Sequence, residues 1–250
     1  MRILLTNDDG IGAEGLLALH EALAPTCEVW VVAPDREQSA ASHAITLARP
    51  LVIKERRKRW FEVDGTPTDC VYIGLNHLMK SSRPDAVCSG INDGPNLGND
   101  VLYSGTVAAA VESAMIGVPG IALSHAGDPR DYQAAARFAP ALLSAVAGNP
   151  LPRHALLNVN FPSGTPTGVR VTALGKRNYG AVVHENVDPR GRRYYWIGGG
   201  DAHYEDIPGS DCSAIFGERA ISVTPLGIDL TDHGLIDTLR LWRIPGYPAK

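Results

Sequence analysis

Short apolar runs alternate with segments of helical period along the first 165 residues. Arg2–Thr6 (RILLT) is a brief apolar run typical of a strand buried on both faces. Leucines then recur at helical spacing through EGLLALHEAL, and Glu28–Pro34 (EVWVVAP) is a second apolar run that ends at a proline. A strand, a helix and a second strand in this order build a parallel sheet through a right-handed crossover.

The same alternation continues to about residue 165 and predicts an α/β fold with a doubly wound, mostly parallel sheet. We expect the helix at 132–148 to be kinked at Pro140, since proline breaks the helical hydrogen-bond ladder. The remaining predicted strands are PDAVCSGIN, VPGIALS and HALLNVNFP, and the remaining helices are CVYIGLNHLM (70–79) and SGTVAAAVESAMIG.

Beyond residue 165 the pattern becomes β-like, with a closing helix predicted in DHGLIDTLRLW. The segment Asp188–Gly191 (DPRG) is a strong turn signal between two strands and predicts a β-hairpin. This hairpin is too polar for a core, so it is either an arm that packs on another subunit or a solvated hairpin. We interpret 1–250 as a single domain with an α/β core at 1–165 and a β-rich extension at 166–250.

Composition and charge argue against two functional classes, proteins that bind nucleic acid polymers and membrane proteins. The 250 residues carry 23 basic and 27 acidic side chains, a formal net charge of −4, which gives no reason to expect binding to a nucleic acid polymer. The basic run KERRKRW (54–60) is interpreted as a solvated strand or turn, with a phosphate-bearing or acidic partner as the alternative. No segment approaches the roughly 20 apolar residues of a membrane span, so we expect no membrane association.

The four cysteines contain no CxxC pair and no nearby histidine at zinc spacing. They are predicted to be buried free thiols in a reduced compartment. Because the N-terminus also lacks the features of a signal peptide, we expect a cytoplasmic protein.

Three predicted strands end in polar loops, NDDG, APDREQSAAS and SGINDGPNLGND. In a parallel sheet these loops gather at one edge, where ligands of open α/β sheets bind. Together they offer the carboxylates of Asp8 and Asp9, the Ser39 hydroxyl and the Asn92 amide oxygen. Such an all-oxygen set suits Mg²⁺ or Mn²⁺, and a cation would offset the repulsion of adjacent carboxylates. The alternative for Asp8 and Asp9 alone is a turn with a helix N-cap.

The next polar feature is YSGTVAAAVES, in which Ser104 is a good helix N-cap. Backbone N–H groups, two hydroxyls and the helix dipole would meet near Ser104, Gly105 and Thr106 and favour a phosphate. Asn96 adds a neutral donor from the glycine-rich loop before it. An ordinary capped helix is the alternative.

These stretches closely resemble the SurE survival-protein family of metal-dependent 5′/3′-nucleotidases. The resemblance rests on ILLTNDDG, on APDREQS (33–39), on the long motif at 89–112 and on ISVTPLGIDLTD. Two positions differ from the usual family pattern: Ala40 stands where glycine is common, and Ser113 ends the stretch Ala110-Val111-Glu112-Ser113 where the family has A-x-E-G.

The resemblance implies a Rossmann-like core and assigns roles to the same residues. Asp8, Asp9, Ser39 and Asn92 would bind one divalent metal ion per subunit, and Asn96, Ser104, Gly105 and Thr106 would bind the substrate phosphate. It also implies a homodimer or homotetramer in which subunits exchange C-terminal segments, which fits the hairpin arm.

The predicted activity is hydrolysis of nucleoside 5′- and 3′-monophosphates to nucleoside and phosphate, with short polyphosphate as a further candidate substrate. Asp8 or Asp9 would be catalytic, either by attacking phosphorus or as the base for a water molecule. Two rival functions stay open: a nucleotide-sugar enzyme such as a glycosyltransferase, and a metal-dependent nucleotide or polyphosphate sensor without turnover.

Overall fold

The computed structural model describes residues 1–127, 130–178, 182–198 and 203–245. Apolar runs form the strands and segments of helical period form the helices, as the sequence pattern indicates. The helices are α1 (Glu14–Leu23), α2 (Pro67–Ile73), α3 (Gly105–Ile116), α4 (Tyr132–Ala136), α5 (Ala139–Gly148) and α6 (His233–Arg240). The strands are β1 (Arg2–Thr6), β2 (Glu28–Pro34), β3 (Ile53–Arg57), β4 (Trp60–Val63), β5 (Ala86–Asp93), β6 (Gly120–Ala126), β7 (Ala155–Pro162), β8 (Val169–Val171), β9 (Arg177–Asn178), β10 (Val183–Val187), β11 (Arg193–Ile197), β12 (His203–Tyr204) and β13 (Ile221–Gly227).

Nine strands form one twisted sheet in the order β3-β4-β2-β1-β5-β6-β7-β13-β8. Pairing is parallel except where β3 meets β4 and where β13 meets β7. From β1 the chain adds β2 on one side and later β5 on the other. The point where strand order reverses therefore lies between β1 and β5, and ligands of doubly wound sheets bind there.

Helices cover both faces of the sheet, as the predicted α/β fold requires. Alternate residues of β1 serve the two faces: Ile3 and Leu5 pack with α1, α4 and α5, whereas Leu4 packs with α2 and α3. Helix α3 lies close to β6, because a Cβ added at Gly120 would stand 2.2 Å from the Ala110 carbonyl oxygen. The small residues of α3 permit this approach.

The structure corrects two predicted helices and agrees with the interpretation of the basic run. The 132–148 segment is two helices, because the chain breaks at Arg137 and Phe138 and a new helix begins with Pro140 in its first turn. The helix at 70–79 begins earlier, at Pro67, and continues as a π-helical turn over Gly74–Leu78. The basic run is a strand and turn, as interpreted, since it supplies β3 and the start of β4.

The extension divides into two parts. Strands β8 and β13 continue the central sheet, whereas β10 and β11 form the predicted hairpin around Asp188–Gly191, and all ten of its strand residues are exposed. The closing helix α6 also has no buried residue. Residues 179–181 and 199–202, which flank the hairpin, lie outside the described residues. The division of the chain at residue 165 stays a prediction.

Two further expectations concern cysteines and membranes. Cys70, Cys88 and Cys212 are buried free thiols, and Cys27 is free and half-buried. Among the residues that the structure describes, no helix has the length and apolar character needed to cross a bilayer. A cytoplasmic location stays a prediction.

Candidate active site

Three polar loops meet at the sheet edge where β1 and β5 end. Asp8 and Asp9 follow β1, and the backbone N–H of Asp93 at the end of β5 donates to Asp9 Oδ2 at 3.3 Å. The loop after β2 reaches the same point, where Gln38 N–H donates to the Asp8 carbonyl at 2.7 Å. The predicted gathering of the three loops is therefore present.

Asp8 is held by the start of α3. Its Oδ1 accepts a hydrogen bond from the Thr106 hydroxyl, and the Thr106 backbone N–H also stabilises the carboxylate. A Cβ added at Gly105 would stand 2.9 Å from the Asp8 Cβ, so glycine is required for this close packing. Helix α3 thus points its N-terminus at Asp8, where the helix dipole favours a negative charge.

Neither carboxylate is neutralised by a cationic side chain among the described residues. Burial raises the pKa of Asp8 above its usual value, although its hydrogen bonds with Thr106 act in the opposite direction. Burial, followed by repulsion from Asp8, raises the pKa of Asp9 to about 6. Within 1–127, 130–178, 182–198 and 203–245, no Lys, Arg or His forms an ion pair with either carboxylate.

Ser39 and Asn92 lie in the loops that converge on the carboxylates, but each side chain is engaged locally. The Ser39 hydroxyl is exposed and donates to Glu37 Oε1 at 2.6 Å. The Asn92 amide nitrogen donates to the Gly94 carbonyl at 2.8 Å, which leaves the amide oxygen as the group for a cation. Among the described residues, no three His, Cys, Asp or Glu side chains form a metal-binding group, so a cation here would depend on neutral oxygens as well.

The predicted phosphate residues are divided between two environments. Ser104 caps α3, since its hydroxyl accepts the Val107 N–H at 3.0 Å. Gly105 and Thr106 contact Asp8, so this corner of α3 lies directly against the carboxylates. A phosphate bound by Ser104 and Gly105 would therefore lie beside the carboxylates.

Asn96 is buried in a network of side chains from β6 and β7. Its side-chain amide donates to Ser124 Oγ at 2.8 Å, and its backbone N–H donates to Asn160 Oδ1 at 2.9 Å. The amides of Asn158 and Asn160 both donate to its carbonyl, at 2.8 and 3.0 Å. Sequence reasoning missed these partners, although two asparagines alternating in the apolar strand HALLNVNFP are a visible signal. The network fixes the backbone of Asn96.

A cavity of about 400 Å³, large enough for a small ligand, opens beside Asp9 and is lined in part by Glu37, Asp93 and Tyr132. Arg130 pairs with Asp93 across its rim at 2.5 Å. Glu37 also repels both site carboxylates and adds to the rise in the pKa of each. Sequence reasoning missed Glu37, which lies in the same loop as Ser39.

Comparison with known proteins decides the family. The model of the family described as "Survival protein SurE" matches residues 3–181. The chain belongs to the SurE family. A protein of Myxococcus xanthus (strain DK1622) named "5'-nucleotidase SurE" is 58% identical over 248 residues, covering 98% of this chain and 95% of that protein. One of the same name from Anaeromyxobacter dehalogenans (strain 2CP-C) is 59% identical and covers 100% and 99% of the two chains.

The SurE fold is confirmed by a solved structure. The crystal structure of the SurE protein from Aquifex aeolicus aligns with a TM-score of 0.85 at 38% identity, covering 96% of this chain and 98% of that one. Resemblance and fold class, as predicted from the sequence, are therefore both confirmed.

The two departures from the usual SurE pattern have local structural consequences. Ala40, where glycine is common, adopts a φ of +56°, in the left-handed region that disfavours side chains. Ser113 is buried at the end of α3, and its hydroxyl donates to the Val118 carbonyl at 2.9 Å. Ala40 is strained, whereas Ser113 is accommodated.

Proposed function

We propose that this chain is a divalent-metal-dependent phosphomonoesterase that hydrolyses nucleoside 5′- and 3′-monophosphates to nucleoside and phosphate. Its support is the near full-length similarity to relatives named 5'-nucleotidase SurE. The observation that carries the proposal is the pair Asp8 and Asp9, desolvated at the switch point of the sheet with no ion-pair partner among the described residues.

The cation is one Mg²⁺ or Mn²⁺ per subunit, held by Asp8, Asp9, Asn92 and Ser39. All four offer oxygen, the donor that these cations prefer. The Ser39 hydroxyl would have to turn from Glu37 to take part. When bound, the cation stabilises the negative charge that gathers on the phosphoryl oxygens during transfer.

Asp8 and Asp9 are the catalytic residues of this proposal. Thr106 fixes the orientation of the Asp8 carboxylate, as a group acting on phosphorus or on a water molecule requires. One carboxylate either attacks phosphorus, forming an acyl phosphate and releasing the nucleoside, or removes a proton from the attacking water. Borohydride trapping of a single turnover separates these routes, because it reduces an acyl phosphate but not a free carboxylate: conversion of Asp8 or Asp9 to homoserine excludes direct attack by water.

The phosphate-binding residues of this proposal are Ser104, Gly105, Thr106 and Asn96. The Gly105 N–H lies in the first turn of α3, where backbone donors and the helix dipole favour an anion. The backbone of Asn96 is held by Asn158 and Asn160, and its side-chain amide would have to turn from Ser124 to donate to phosphate. These donors would hold the oxygens that the cation leaves uncontacted.

We also propose a homo-oligomer, a dimer or tetramer, formed through the C-terminal part. The hairpin of β10 and β11 exposes several large apolar side chains, among them Trp196 (67% exposed) and Ile197 (90%). Helix α6 and the residues after it expose Leu239, Leu241 and Trp242. Apolar surface of this extent on soluble proteins marks an interface, which favours the arm over the solvated hairpin.

The experiment measures phosphate release from adenosine 5′- and 3′-monophosphates with Mn²⁺ or Mg²⁺, then with excess chelator. We expect release from both nucleotides with metal and none with chelator, and tripolyphosphate in a parallel reaction tests the polyphosphate substrate. Nucleotide binding without release would favour the sensor. Turnover of a nucleotide sugar but of no monophosphate would favour the rival enzyme.

A further inference from the structure

A buried carboxylate in the extension, that of Asp211, accepts a hydrogen bond from the loop that leads to the proposed phosphate site. Asp211 is fully buried, and its Oδ2 accepts the backbone N–H of Gly98 at 2.9 Å. Its Oδ1 accepts the N–H groups of Gly175 at 2.7 Å and Cys212 at 2.8 Å. One carboxylate thus joins the core loop between Asn96 and Ser104, named the 98 loop, to two segments of the extension.

The loop is packed against the extension as well as bonded to it. Leu97 is fully buried in a cluster with Cys212 and Ile215. A Cβ added at Gly98 would stand 2.7 Å from the Gly175 carbonyl oxygen, so the two backbones are in close contact. The extension therefore fixes the position of the loop through both packing and hydrogen bonds.

A second link lies two residues further along the loop. Arg177 Nη1 pairs with Asp100 Oδ2 at 2.6 Å, and both side chains are largely buried, with 8% and 15% exposed. Asn99 donates to the Arg177 carbonyl at 3.2 Å. The Asp100 carbonyl in turn accepts the N–H groups of Tyr103 at 2.9 Å and Ser104 at 3.1 Å. The loop held by the extension thus bonds directly to the N-cap of α3.

We propose that Asp211, supported by Arg177, is a positioning residue for substrate phosphate. It fixes the loop between Asn96 and Ser104, the two ends of which carry proposed phosphate donors, and so sets the distance between those donors. The extension is then part of the active-site framework of each subunit. This inference rests on the proposed function of the site.

The substitution Asp211→Asn isolates the link to the loop. An asparagine keeps the volume, and its oxygen can still accept the N–H groups of Gly175 and Cys212. Its NH₂ group then faces the Gly98 N–H, so a donor meets a donor and that hydrogen bond is lost. Asp206→Asn is the matched control, because Asp206 lies in the same segment and accepts from Ser213 but, among the described residues, has no hydrogen bond to the 98 loop.

The experiment compares wild type, Asp211→Asn and Asp206→Asn as full-length chains. The measurements are hydrogen exchange of the peptide containing Gly98, competitive inhibition by inorganic phosphate, KM and kcat for adenosine 5′-monophosphate, and binding of Mn²⁺ alone. We expect Asp211→Asn to speed exchange, and to raise KM and the phosphate inhibition constant about tenfold, the scale of one hydrogen bond to a charged group. Affinity for Mn²⁺ should change less than about twofold, because Asp8 and Asp9 lie outside this loop.

A purely structural role would lower the active fraction, and therefore kcat, while KM and phosphate inhibition stayed at wild-type values. That result, or unchanged exchange at Gly98, overturns the proposal. If Asp211→Asn does not melt cooperatively, Asp100→Asn is measured instead; it weakens the pair with Arg177 and should raise KM in the same direction. Faster exchange in a protein whose wild type releases no phosphate would refute the proposed function while leaving the hold on the loop intact.

Discussion

The environment of the buried Asp8 carboxylate is set by three neighbouring residues. Thr106 donates to it, Gly105 makes room for it, and Asp9 repels it. The pair Asp8-Asp9 could be predicted from the sequence as a candidate cation site because adjacent carboxylates at a strand end are visible in one line. Their desolvation could not, since it depends on the loops that close over them.

Cation binding should depend on pH, because the pKa of Asp9 is raised to about 6 and that of Asp8 is raised as well. Below pH 6 a cation must displace protons, so affinity for Mn²⁺ should fall by about tenfold per pH unit and level off above it. Calorimetric titration between pH 5 and pH 8 measures this. Asp9→Asn should flatten the dependence; an equally steep curve in that variant would refute the assignment.

Stability of the metal-free protein should respond in the opposite sense. Because the folded pKa of Asp9, about 6, exceeds its ordinary value of 3.8, the native state keeps a proton that the unfolded chain has released. The free energy of unfolding should therefore fall as pH rises through this window. Urea titrations with chelator present check the sign, and a rise over the same window would contradict it.

Ala40 gives a prediction for stability alone. Its φ of +56° costs an L-residue about 1–2 kcal/mol, while glycine would lose roughly 0.5–1 kcal/mol in extra backbone entropy. Ala40→Gly should therefore raise the free energy of unfolding by about 0.5 kcal/mol. Ala41→Gly, at a residue without this backbone conformation, should lower it. Urea unfolding of both variants is the measurement, and a loss of stability in Ala40→Gly would disprove the strain.

At the scale of elements, most strands and helices could be predicted from the periodicity of the sequence, whereas the contacts between them could not. The alternation of runs predicted the parallel core because each element is local in sequence. The bonds that build the site join residues far apart: Thr106 to Asp8 spans 98 positions, Asn160 to Asn96 spans 64, and Asp211 to Gly98 spans 113. Which side chains meet across such separations is decided by the packing of layers.

The contact between α3 and the loop that follows β1 can be tested through Thr106. Thr106→Val keeps the shape but removes the hydroxyl donor to Asp8, which should lower kcat for adenosine 5′-monophosphate by about tenfold to a hundredfold. Thr106→Ser restores a hydroxyl and should recover most of the loss. Steady-state kinetics with saturating Mn²⁺ measure both variants. Equal activity of Thr106→Val and wild type would contradict a role for this bond.

At the scale of the whole molecule, the α/β core is well buried, whereas the C-terminal hairpin and α6 are exposed. The hairpin and α6 bury none of their residues in a single subunit. Both elements could be predicted from the sequence. Whether the hairpin is an arm could not, because a strand that contacts another subunit and a strand that contacts solvent can have the same sequence pattern.

A charge on the hairpin should therefore change the assembly. We expect wild type to be a dimer or tetramer by light scattering, and Trp196→Glu to shift it towards the monomer, because an unpaired charge would be buried at the interface. Met115→Glu, at an exposed apolar residue of α3 (50% exposed), is the control and should leave the mass unchanged. A Trp196→Glu protein with the mass of wild type would exclude the arm.

Turnover of adenosine 5′-monophosphate by Asp8→Asn, with Mn²⁺ present, tests the central claim most directly. Asp237→Asn, on exposed α6, is the matched control for loss of a carboxylate. We predict that wild type and Asp237→Asn release phosphate only with metal, and that Asp8→Asn loses at least about a hundredfold in kcat while melting cooperatively. Phosphate release by Asp8→Asn at the wild-type rate would contradict the proposed metal site and its chemistry.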